Sequence, residues 1–141
     1  MNLRIGLSMI VLALAVSGCG KPDYEVIQGR WYAVSFKVDG VDKPHQEIGI
    51  ELTNGRWTNL KNGEVDGSHG DYRIDEKRSP KWIDVTDNTR NLQLKGIYEL
   101  KGEKLRICFN EKAKTEEDRP TAFESTAGSP NQVLLEFVRK R

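Results

Sequence analysis

Four consecutive residues, Ser68-His69-Gly70-Asp71, hold the three side-chain types of a hydrolytic triad. Neighbours along a chain cannot line up as nucleophile, base and orienter, each within hydrogen-bond reach of the next, so the run does not predict acyl transfer. The chain has 2 histidines, and neither His45 nor His69 has cysteine or carboxylate neighbours at metal-ligand spacing, whereas a structural zinc needs about four ligands. No metal, cofactor or catalytic residue is therefore assigned. Gly67 and Gly70 do not join a strand to a helix, which excludes a phosphate cradle. Glu116-Glu117-Asp118 reads as a solvated acidic loop rather than a cation site. Arg119 is the charged residue best set for a specific contact. Pro120 fixes the backbone beside it, and a guanidinium pairs in plane with a carboxylate such as Asp84. An ion pair clamping a long loop fits one cation better than a ligand site, which needs several convergent groups.

The two cysteines differ in setting. Residues 1–18 read as one positive charge (Arg4), an apolar run from Ile5 to Val16 and two small residues. This is the order of an export signal, too short for a stable span. Removing these 18 of the 141 residues leaves 123, and with Arg4 gone 21 basic side chains face 21 acidic ones. One neutral domain of ordinary size remains. It has no basic field for nucleic acid, and the terminal Arg139-Lys140-Arg141 reads as a solvated strand end. Cys108 is expected to be buried, reduced and inert.

The elements that must position these groups are strands. Apolar residues alternate at Tyr32, Val34, Phe36 and Val38, at Ile48, Ile50 and Leu52, at Leu105, Ile107 and Phe109, and at Val133, Leu135 and Phe137. Asp39-Gly40, Asn54-Gly55, Asn62-Gly63, Asp66-Gly67 and Gly102 separate them as tight turns. Eight strands are expected, near 30–38, 47–53, 56–60, 70–75, 81–86, 95–101, 104–110 and 132–139. The predicted fold class is all-β: an antiparallel up-and-down barrel of about eight strands, whose closure removes exposed edges. Residues 111–131 form a polar loop expected to cross a barrel end, with a helical turn near Thr115–Asp118.

Three resemblances add to this reading. Val16-Ser17-Gly18-Cys19 resembles the lipobox of bacterial lipoproteins, which implies acylation of Cys19 and a membrane partner held through acyl chains. With Gly20 rather than aspartate after it, the resemblance implies the outer membrane, facing the periplasm. The expected organisation is a signal peptide (1–18), a lipidated tether (19–27) and a barrel domain (28–141). Gly29-x-Trp31 at the start of the first strand, with Arg139 in the last, resembles the calycin arrangement of lipocalins, in which an indole closes the barrel beneath a cation. "SPKWIDV" (79–85), "GIYELKGEKLRICF" (96–109) and "RPTAFES" (119–125) are similar to an uncharacterised bacterial domain abundant in planctomycetes. That likeness makes Asp84, Tyr98, Cys108, Arg119, Pro120 and Phe123 its motif positions and implies no biochemical role. The chain is shorter than a lipocalin and reads Thr86-Asp87-Asn88 where their second motif has an aromatic, which argues against a capacious cavity. The resulting expectation is a non-enzymatic, membrane-anchored binding protein. It would take a small apolar or amphipathic ligand in a narrow cavity open at one end, contacted by Trp57, Tyr72, Trp82 and Tyr98. The alternative is an envelope protein–protein module of the inhibitor or immunity type.

Overall fold

The computed structural model describes residues 20–129 and 131–139. A short helix α1 (Asp23–Val26) precedes nine strands: β1 (Gly29–Val38), β2 (Val41–Asp42), β3 (Ile48–Thr53), β4 (Arg56–Lys61), β5 (Glu64–Asp75), β6 (Lys81–Asp87), β7 (Leu92–Lys101), β8 (Lys104–Asn110) and β9 (Gln132–Arg139). From β3 to β9 each strand pairs antiparallel with the next, and β1 pairs with both β3 and β9. The result is a closed eight-strand up-and-down barrel of the lipocalin-like kind, with β2 as one extra strand on the tip of β1. Asp39-Gly40, Asn54-Gly55 and Asn62-Gly63 all have positive φ at both positions, the backbone that matches hairpin twist. Asp66-Gly67 does not end a strand as expected. It lies within β5, whose 12 residues continue through it.

β1 serves two neighbours because a bulge between Ala33 and Ser35 bends it. Its first residues pair with β3 (Gly29 to Tyr32 against Leu52 to Gly49), and from Trp31 onward it pairs with β9. An extra residue sharpens the bend and twist of a strand, which is how a sheet corner closes.

Alternation sends one set of side chains into a continuous core that includes Trp31, Ile50, Leu52, Trp57, Tyr72 and Phe109. A second cluster, Ile97, Cys108 and Leu134 with Trp82 and Phe123, lies on the opposite face of β6–β9. It exists because the segment from Glu116 to Ser125 runs along the outer wall instead of crossing a barrel end. Lys95 Nζ meets Glu116 Oε1 at 2.6 Å, Phe123 packs on the wall, and Ser125 Oγ donates to Gln132 O at 2.9 Å. Its single helical turn, Glu116–Asp118, is tied back by the Asp118 carboxylate, which accepts from the Lys114 and Thr115 backbone N–H groups.

One pole of the barrel is sealed. Trp31 is fully buried and donates its indole N–H to Ile27 O at 2.8 Å, and the Arg139 guanidinium lies 4.1 Å from the centre of its ring. Arg139 also donates to the carbonyls of Gln28 and Val26. Gly29 is required here: its φ is +116°, and a Cβ would lie 2.9 Å from Arg139 Nη1. Ile27, placed in the tether by sequence, is fully buried in the core. The segment expected to be a spacer is therefore folded from Asp23 on, because an apolar residue and an indole partner lie within it. Cys19, Lys140 and Arg141 fall outside the described residues. Among those described, no helix is long and apolar enough to cross a membrane.

Candidate functional site

The other pole opens into a cavity of about 240 Å³ between the tops of the strands. Phe36, Ile48, Trp57, Leu94, Phe109 and Leu135 make its apolar wall, and Asn59, Asp87, Arg90 and Glu111 stand among the groups lining it. Two features shape the wall. Gly96 faces inward opposite Phe109, where a Cβ would lie 2.5 Å from that ring, so the ring lies across the glycine. Trp57 then meets Phe109 edge-on, with centroids 6.1 Å apart and planes at 68°, the geometry that aromatic quadrupoles favour. Trp57 donates its indole N–H to Asn59 Oδ1 at 2.8 Å, which leaves the ring faces for apolar contact.

The rim is organised by Asp87, the inward-facing last residue of β6, only 5 % exposed. Its Oδ1 accepts the backbone N–H groups of Thr89 and Arg90 at 2.9 and 3.0 Å, and its Oδ2 accepts Arg90 Nε at 2.7 Å. Burial pushes the carboxyl pKa up, but the Arg90 side chain and backbone, with the Thr89 N–H, outweigh it and hold the pKa below the ordinary value. Aspartate caps its own turn in this way, and here the same carboxylate also fixes a guanidinium at the cavity mouth.

Of the four aromatics expected at a ligand, the structure brings only Trp57 to the cavity. Tyr72 and Tyr98 point into the sealed half of the barrel. Tyr72 Oη accepts from Gln28 Nε2 at 3.2 Å, and Tyr98 Oη donates to Asp23 Oδ2 at 2.7 Å. Burial raises both phenol pKa values, and for Tyr98 the adjacent Asp23 carboxylate adds to the effect. Trp82 is outside the barrel altogether, stacked between the guanidinium groups of Arg78 and Arg119 at 4.2 Å from each. The Trp82-Ile83 and Ile97-Tyr98 pairs each set two apolar residues on opposite faces, and alternation cannot choose between faces that are both covered. Asp87 and Arg90 were missed as site residues. Their signal was the Asp-Asn-Thr-Arg-Asn turn between two strands.

Asp84, Cys108, Arg119, Pro120 and Phe123, also singled out by sequence, gather on the outer wall. Arg119, with a side chain only 3 % exposed, lies 2.7 Å from Asp84 Oδ1. It donates to Glu116 Oε2 from Nε and Nη2 at 3.1 and 2.5 Å, and from Nη1 to the strand carbonyls of Gly96 and Ile83 at 2.8 and 3.3 Å. Nε, Nη1 and Nη2 are thus all engaged by the protein itself, so Arg119 is a clamp. Glu116 is held below the ordinary carboxylate range by hydrogen bonds from Lys95 and Arg119. Pro120 is buried beside it, and Phe123 packs on the wall under the Arg106 guanidinium, 4.2 Å from the ring centre. Cys108 is fully buried with its thiol 3.4 Å from Glu124 O, and burial pushes its pKa up to about 11.

The triad-like residues stay apart: Asp71 accepts from Asn88, and the His69 ring contacts Gly67 O. No group of three metal-ligating side chains occurs among the described residues. No protein-family model, curated protein or solved structure matches the chain.

Proposed function

We propose that this protein is a non-enzymatic binding protein of the cell envelope, anchored through acylated Cys19, that takes a small apolar or amphipathic ligand at the open pole of its barrel. The observation that carries the reading is the asymmetry of the barrel. One pole is sealed by Ile27, Trp31 and Arg139, while the other keeps an apolar cavity with a few polar groups at its rim, the usual make-up of a small-molecule site. At about 240 Å³ it holds roughly eight water-sized volumes, which suits a short chain or one ring and not a long acyl tail. Gly20 to Pro22 are exposed ahead of the helix at the sealed pole. A lipid tether there sets the cavity away from its own bilayer, toward ligand in the aqueous phase.

The likeness to the planctomycete domain gains a physical sense in this reading. All its motif positions except Tyr98 lie on the outer wall or in the segment strapped across it, where they support the barrel without touching the cavity. The full chain carrying Cys19→Ser, titrated with short-chain amphiphiles while Trp57 fluorescence is followed, tests the function. Saturable quenching that disappears in Trp57→Phe supports it. Absence of saturation across apolar and amphipathic probes removes it and leaves a protein partner on the outer surface as the role.

A further inference from the structure

The cavity rim sets one guanidinium, Arg90, beside two carboxylates, Asp87 and Glu111, and the hydrogen-bonding capacity left over on these groups is uneven. Asp87 and Arg90 look like a neutral pair, but their hydrogen-bonding capacities differ. Each Asp87 oxygen already accepts, Oδ1 from two backbone N–H groups and Oδ2 from Arg90 Nε. Arg90, by contrast, uses only Nε, and both of its Nη groups lack a protein partner among the described residues. It is also the only cation among the side chains that line the cavity. The guanidinium is thus held through Nε by Asp87 at the cavity lining, with its Nη groups open to a further acceptor. That fork matches a carboxylate in plane. Glu111 supplies the opposing charge on the rim, but it is an exposed side chain with no group fixing it.

We infer that the cavity binds small carboxylates with an apolar body of about six carbons, the chain or ring lying between Trp57, Leu94 and Phe109 and the carboxylate on the Nη groups of Arg90. This rests on the binding function proposed above. Asp87 acts as a positioning residue, since it turns the guanidinium and does not contact the ligand. The Arg90 side chain is 63 % exposed, so solvent screens the contact and the head group selects by about tenfold rather than by thousands.

Hexanoate, its neutral isostere hexanamide and hexylammonium separate the head group from the body. Each is titrated into the full Cys19→Ser chain while Trp57 fluorescence is read. Hexanoate is expected to bind about tenfold more tightly than hexanamide, and hexylammonium more weakly than either. Arg90→Met should bring hexanoate down to about the affinity of the amide, with Arg90→Lys between. Glu111→Gln, which leaves the Asp87 turn intact, should hold or raise hexanoate affinity. Equal binding of acid and amide, or tightest binding of hexylammonium, overturns the carboxylate assignment while the binding function stands. Loss of hexanoate binding in Glu111→Gln overturns it as well. If none of the three probes binds, the assignment and the binding function fall together.

Discussion

Replacing Arg119 by methionine keeps an unbranched stem against Trp82 and removes the guanidinium. Two strand carbonyls, Gly96 O and Ile83 O, then lose a charged donor in a site where the arginine is 3 % exposed. Hydrogen bonds to a charged group contribute roughly 1.5–3 kcal/mol each, and the 3.3 Å bond to Ile83 O belongs below that range. Together the two are worth about 3 kcal/mol. The Glu116 carboxylate is 50 % exposed and rehydrates, whereas Asp84 Oδ1 is buried and loses the guanidinium 2.7 Å away; together they add about 1 kcal/mol. The expected loss is about 3–4 kcal/mol, a large share of the 5–15 kcal/mol typical of a domain. Urea denaturation should show it as a lower midpoint at unchanged slope. Because the strap carrying Arg119 also carries Phe123 and Glu124 over Cys108, native-state labelling of that thiol should accelerate in the variant. In the wild type it should be far slower than in denaturant, since the thiol is buried and its pKa is raised. A loss below about 0.5 kcal/mol, with unchanged labelling, would mean that the strap is held by its other contacts and would refute the clamp.

Two further outcomes follow from the geometry. Gly70→Ala should cost at least about 3 kcal/mol, because its Cβ would lie 1.7 Å from Thr86 O, a backbone atom that cannot swing aside. Gly128→Ala, which meets only Thr126 Oγ1 at 3.8 Å, should be neutral or stabilising by up to about 1 kcal/mol. Comparable urea midpoints for the two variants would contradict the close approach of β5 and β6. Acid should weaken the strap and the rim turn. The folded-state pKa values of Glu116, Asp118 and Asp87 are depressed, so the stability they contribute is present above the unfolded values of about 4 and is lost as pH falls below them. The urea midpoint should drop between pH 5 and pH 3, and drop less in Arg119→Met, where Glu116 has lost one of its two partners. Equal drops in the two proteins would show that Glu116 does not titrate against Arg119.

The antiparallel meander was legible in residue order because its signals are local. Side-chain alternation and Asn-Gly or Asp-Gly pairs act within a few residues, and strand bounds read from them agree closely with β1, β3, β4, β6, β8 and β9, while β7 begins at Leu92, ahead of the expected residue 95. The two-residue β2 escaped notice because it is too short to show a period. Arg119 as a clamp was also legible, because the Arg-Pro pair singled out one cation; its contact with Asp84 is present, but its hydrogen-bonded carboxylate is Glu116, which sequence placed in a solvated loop. Which aromatics face the cavity was decided only by tertiary structure. Period-two patterning says which residues share a face, and it names the buried face only when the other is wet. Here the strap from Glu116 to Ser125 dries the outer face of β6–β9, so Trp82, Ile97, Cys108 and Leu134 are apolar on the side where sequence rules expect polar residues. The rim needed the fold as well, because Asp87 and Arg90 become site residues only when β6 turns its last side chain inward at the height of Trp57 and Leu135, strands far away in the chain. Local chemistry set the strands and turns, and barrel closure with the strap selected the interior, because burial depends on what comes to cover a face.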